Sequence, residues 1–170
     1  MARMSVAPRH RGLMKTADQG NETRLEDQSG ARQIVRRLIN SRRSERAGGN
    51  TPARAAAAAC DDLYRELSRG VGRDGCHALF TRALAQARTE YPALEEIELH
   101  PLSEPYIDGV AETIMANGDA PTAEALESML ARLVELLGRL IGDDMAMKLI
   151  ERSLAASERG DPTSDRREEA

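Results

Sequence analysis

Apolar residues return at three- and four-residue steps along most of this chain, the mark of helices that bury one face. The clearest run lies at 122–141. There Leu126, Leu130, Leu133, Leu137 and Leu140 alternate steps of four and three, and Met129, Val134, Leu136 and Ile141 widen the stripe. Upstream, "NTPARAAAAACDDLYRELSRG" predicts a helix with Thr51 as N-cap and Pro52 at the first helical position, where a missing N–H does no harm. Cys60, Leu63, Leu67 and Val71 follow at helical spacing, and Gly70 and Gly72 end the element. Asp74 is placed to cap a second helix that carries Cys76, Leu79, Phe80, Ala83, Leu84 and Ala87 to about Glu90, before Pro92.

Weaker patterns fill the rest. Ile34, Val35, Leu38 and Ile39 predict a short amphipathic helix at 31–47, ended by Gly48-Gly49. Ser103 with Pro105 is read as the start of a helix bearing Ile107, Val110 and Ile114 and stopping at Asn117-Gly118. "ALEEIELHPL" fits either an extended piece or a helical turn. Gly142 followed by Asp143 reads as a helix end and a new start, and Met147, Ile150 and Leu154 mark a last helix. No internal repeat stands out. The pattern predicts an all-α fold, a small helical bundle of five or six helices at 51–159. A basic, flexible, largely disordered arm at 1–50 precedes it, and a charged disordered tail at 160–170 follows.

Composition sharpens this picture. Hydrophobic residues make up 41% of the 170 and aromatics 2%, with no Trp and a single Phe. A core of Leu, Ile, Val, Met and Ala suits helix packing, because strands draw on aromatic and β-branched side chains. The net charge of −4 hides an asymmetry: residues 1–54 hold twelve Lys/Arg against five Asp/Glu, and the remainder twelve against twenty-three. A basic arm on an acidic body suits nucleic acid, a membrane surface, an acidic partner, or docking on its own body. Arg and Ala dominate (Lys15 and Lys148 are the only lysines), which points to a GC-rich bacterial genome. Cys60 and Cys76 are too few for a disulfide framework and suit a reducing cytoplasm. The first residues lack an apolar signal core, and Met4 and Met14 offer later starts for translation. No apolar run is long enough to span a bilayer, so no membrane partner is expected.

Candidate chemistry is sparse. In "GRDGCHALF" Cys76 and His77 are neighbours, but successive residues on a helix point about 100° apart and do not form a nucleophile–base pair. Cys76 shares a stripe with Leu79 and Phe80 and is expected to face the core. Cys60, Cys76, His77 and His100 have no zinc spacing, and the doublets Asp61-Asp62, Glu95-Glu96 and Asp143-Asp144 lack the oxygen ladder of a calcium loop. "SRGVGRDG" is not a phosphate loop. No cofactor, metal or catalytic residue is assigned, and a catalytic role would need an enzyme without a recognisable motif.

Two interaction readings remain. The stripe Leu126, Leu130, Leu133, Leu137 and Leu140 must be covered, because each buried Leu is worth roughly 1.5–3 kcal/mol. Either the stripe lies at the centre of the monomer or it meets a protein partner, foremost a second copy in a homodimer. The leading expectation is therefore a non-catalytic interaction or regulatory module working through helix–helix contacts. The alternative is a DNA-binding regulator that contacts phosphates through Arg32, Arg36, Arg37, Arg42, Arg43 and Arg46.

Overall fold

The computed structural model describes residues 17–45 and 51–158. Among them are six α-helices: α1 (Ala17–Glu45), α2 (Pro52–Val71), α3 (Arg73–Arg88), α4 (Val110–Asn117), α5 (Asp119–Ile141) and α6 (Asp143–Glu158). A 3-10 turn at Pro92–Leu94 and a two-stranded hairpin separate α3 from α4. In it β1 (Glu98–Leu99) pairs antiparallel with β2 (Ile107–Asp108), Leu99 opposite Ile107. The fold is the expected all-α bundle. The arm expected to be largely disordered over 1–50 is helical from Ala17 to Glu45; its residues 1–16, the Gly48-Gly49 joint and the tail at 160–170 lie outside the described residues. No described helix is long and apolar enough to cross a membrane.

α5 is the central helix. Its Leu126, Met129, Leu130, Leu133 and Leu137 are buried among Leu63 and Leu67 of α2, Phe80 of α3 and Ile150 of α6. α1 closes one side of the same core with Ala31, Val35 and Leu38, and it begins at Ala17 rather than at 31. Charges pin it there: Arg36 Nε donates to Glu127 Oε1 at 2.7 Å, and Arg42 pairs with Asp62 of α2. The Glu90 carboxyl after α3 is held below its usual range by the hydrogen bond and charge of Arg132 on α5. Arg32 of α1 lies close enough to add to the effect, and slight desolvation opposes it.

Three helix joints, α2–α3, α4–α5 and α5–α6, are single glycines. Gly72, Gly118 and Gly142 have φ of 88°, 92° and 85°, a region closed to residues with a Cβ. Each donates its N–H to the carbonyl four residues back, from Ser68, Ile114 and Gly138, and its own carbonyl opens the next helix. Thr51 holds the N-cap position of α2, but its hydroxyl makes no cap bond; Asp119 Oδ1 accepts the Ala53 N–H instead, at 3.3 Å. Asp74 likewise lies in the first turn of α3, whose cap position belongs to Gly72.

The expected helix start at Ser103–Pro105 is corrected. Helix begins only at Val110, and Ile107 lies in β2. Two constraints impose the hairpin. The Asp61 carboxylate accepts the N–H groups of Tyr106 (2.9 Å) and Ile107 (3.1 Å) and so ties this segment to α2. Gly109 has φ +80°, and a Cβ there would stand 1.9 Å from the Glu96 carbonyl oxygen.

A repeat does exist. α2–Gly72–α3 and α5–Gly142–α6 are the same helix–glycine–helix unit, seventy positions apart. Leu63, Leu67, Gly72, Asp74, Leu79, Arg82 and Leu84 recur as Leu133, Leu137, Gly142, Asp144, Leu149, Arg152 and Leu154. Burial recurs where identity does not: Cys60 and Leu130, Cys76 and Ala146, Phe80 and Ile150, Ala83 and Ser153 are all buried. The units interlock, with α2 against α5, α3 against α5 and α6 against α2.

Candidate functional site

Five α2 residues, Asp61, Tyr64, Arg65, Ser68 and Arg69, fall at helical spacing on one face and line a groove of about 770 Å³. Arg73 at the start of α3 extends this wall, and Pro101–Tyr106 form the opposite one. Polar bonds hold the walls together. Besides the two N–H groups on Asp61, the Tyr64 hydroxyl donates to the Pro101 carbonyl at 3.3 Å, and His100 N–H to the Tyr106 carbonyl at 2.7 Å. Tyr64 and Tyr106 stack in parallel with centroids 3.6 Å apart, and Phe80 meets both edge-on. Tyr64 and Tyr106 thus line the groove, and Phe80 packs behind them in the core.

The reactive-looking groups are committed to this scaffold. Cys76 is buried, its Sγ 3.7 Å from the Tyr64 carbonyl oxygen, and burial pushes its thiol up to about 11, against a lowering contact from Ser68. It therefore stays a thiol at neutral pH, facing the core as expected. His77 does not face it; its Nδ1 is 3.1 Å from the Tyr106 hydroxyl, which desolvation keeps protonated. Burial raises Asp61 above its ordinary value, the two N–H donors opposing and Asp62 adding.

The rim is open and mixed in charge. Leu102 is 84% exposed. The side chain of Arg65 is half-exposed and touches Asp62 Oδ1 (3.1 Å) and Glu104 Oε1 (3.6 Å); the more exposed Arg69 pairs with Glu66 at 2.6 Å. Exposed pairs of this kind are weak and exchange readily. The second unit has no such wall: Asp61, Tyr64, Arg65 and Arg73 are replaced by Ala131, Val134, Glu135 and Asp143. There Ala131 and Val134 are buried, and α1 packs on α5.

The residues proposed from sequence lie elsewhere. Leu126, Leu130, Leu133 and Leu137 are at most 1% exposed within the single chain, so in this conformation they present no surface to a partner; Leu140 alone does, at 61%. The homodimer through that stripe loses its surface for this reason. Of the arginines, Arg36 and Arg42 are engaged by Glu127 and Asp62, Arg32 lies near Glu90, Arg37 and Arg43 are exposed, and Arg46 is outside the described residues. Tyr64 and Tyr106 went unnoticed, and Asp61 was read only as half of a charged doublet, because their partners are distant in sequence. The available signal was slight: Tyr106 is one of only four Phe or Tyr residues in the chain and ends the Pro-containing stretch "HPLSEPY". Comparison with protein-family models, curated proteins and solved structures brought no match, so the groove is read from its own geometry.

Proposed function

We propose that this protein is a non-catalytic helical interaction or regulatory module whose working surface is the groove between α2 and Pro101–Tyr106. One observation carries the reading. The large apolar side chains that make the floor are buried, yet Leu102 stands 84% exposed on the rim, beside a concave surface with three arginines. Met115, Leu140 and Met145 are exposed too, so it is the concave surface beside Leu102, not its exposure alone, that favours a contact site. Asp61 and Tyr64 hold the walls through backbone bonds, and Arg65 and Arg69 sit in ion pairs, which favours binding over bond-making. The DNA reading is weakened because two of its arginines already neutralise carboxylates of the body.

A photo-crosslinking residue at position 102, in cells that naturally make the protein, tests this. A defined protein adduct is expected from position 102 and none from exposed position 151 on α6. Absence of any adduct at 102 would reject the groove as a contact surface.

A further inference from the structure

We infer that the α2 groove takes a short acidic segment of a partner protein, laid along its arginine wall with an apolar side chain set against Leu102. This rests on the groove being a contact surface and names the chemistry of what it contacts.

The placement of positive charge is the first argument. Residues 55–158 hold nine Lys/Arg against nineteen Asp/Glu, yet three of the nine, Arg65, Arg69 and Arg73, line this one groove. Arg65 and Arg69 come from successive turns of α2 and Arg73 from the start of α3, so the wall is assembled across the Gly72 joint. The second unit has Glu135 and Asp143 where the first has Arg65 and Arg73. The concentration of charge therefore belongs to the groove and not to the helix–glycine–helix unit. Of the two acids that also line it, Asp61 is turned to the backbone of Tyr106 and Ile107.

The other acid is the second argument. Glu104 stands on the opposite wall, and its Oε1 reaches to 3.6 Å from Arg65 Nη2. Asp62 and Glu66 approach Arg65 and Arg69 from the helix side. Carboxylates thus already meet these guanidinium groups, in exposed pairs that exchange readily. Among the described residues Arg73 makes no ion pair and is exposed. Glu104 is a tethered stand-in for a carboxylate that enters from outside, and Arg73 offers a second place for one.

The apolar rim is the third. Leu102 has no use for a bare anion, whereas a peptide brings apolar and acidic side chains together. The volume of about 770 Å³ lies within the roughly 300–1,000 Å³ of ordinary ligand sites, so the occupant is short. A long polyanion such as duplex DNA would also lie over the acidic remainder of the body and be repelled there. A segment of a few residues stays within the groove.

Fluorescence anisotropy of the full chain with two labelled peptides tests this. One is Gly-Asp-Glu-Leu-Asp-Glu-Gly and the other its amide counterpart, Gly-Asn-Gln-Leu-Asn-Gln-Gly. The acidic peptide is expected to bind at low salt, less tightly as salt is raised, and about tenfold or more tighter than the amide peptide. Arg69→Glu and Arg73→Glu each weaken binding about tenfold, and Leu102→Ser about threefold, while circular dichroism stays unchanged. Glu104→Gln tightens it by removing the competitor. Arg82→Glu, an exposed reversal on α3 outside the groove, leaves it unaltered. Four results overturn the inference: no binding up to about 1 mM, equal binding of both peptides, equal sensitivity to Arg82→Glu and Arg69→Glu, or a DNA duplex that displaces the peptide. The adduct at position 102 separates the two levels. An adduct mapped to a neutral or basic stretch of the partner sinks the acidic occupant and keeps the groove, whereas no adduct sinks both.

Discussion

Asp61 places a carboxylate between Tyr64, Tyr106 and the backbone of β2, and two N–H donors fix it there. Desolvation nevertheless raises it above 3.8, so the folded chain holds this proton more tightly than the unfolded chain. Stability from this group therefore falls as pH rises from below 3.8 through the raised folded value, and is flat above it. Asp61→Asn retains an acceptor oxygen for both N–H groups and removes the titration. The difference in urea midpoint should move in favour of the Asn variant between about pH 3 and pH 6, a range set by the ordinary carboxyl value. Movement the other way would show that the two donors outweigh burial. Little of this was legible beforehand. The Asp61-Asp62 doublet reads as solvated surface, and Asp62 does face Arg65 and Arg42, but Asp61 turns toward a backbone forty-five positions downstream. Periodicity reports which face a residue takes and not which distant segment meets it.

Helices, by contrast, were largely legible, since a period of 3.6 over many residues is hard to mistake. The hairpin was not: two-residue strands carry no period, and Ile107 three positions before Val110 imitates a helical step. Glycine joints were legible as helix ends, but their shared geometry was not. At Gly72 and Gly142 an added Cβ would meet nothing within 4 Å, so the only penalty for alanine is the positive φ. Gly72→Ala and Gly142→Ala should each lower unfolding stability by about 1–3 kcal/mol and by similar amounts. Urea melts of the two single variants measure it. A large loss at one joint with none at the other would break the equivalence of the units.

At the scale of the molecule, the repeat escaped a reading of the sequence because it preserves burial more than identity. Ala56, Ala59 and Cys60 occupy the positions of Leu126, Met129 and Leu130, so the small residues of α2 leave volume that the large ones of α5 fill. One unit alone is therefore under-filled and the other over-exposed, and neither makes a core without its complement. The chain between them passes through Ser103 and Glu104, both exposed. Cutting there leaves the buried contacts of α2 with α5, α3 with α5 and α6 with α2 in place. Each of Leu126, Leu130, Leu133 and Leu137 would cost roughly 1.5–3 kcal/mol to expose, which far exceeds what one loop peptide contributes. A protease site placed between Ser103 and Glu104 should therefore yield two fragments that co-elute with unchanged helicity. After separation in urea each should lose its helical signal alone and regain it on mixing. Fragments that part in native buffer and stay folded would show two independent domains, and the interlocked core would have to be abandoned.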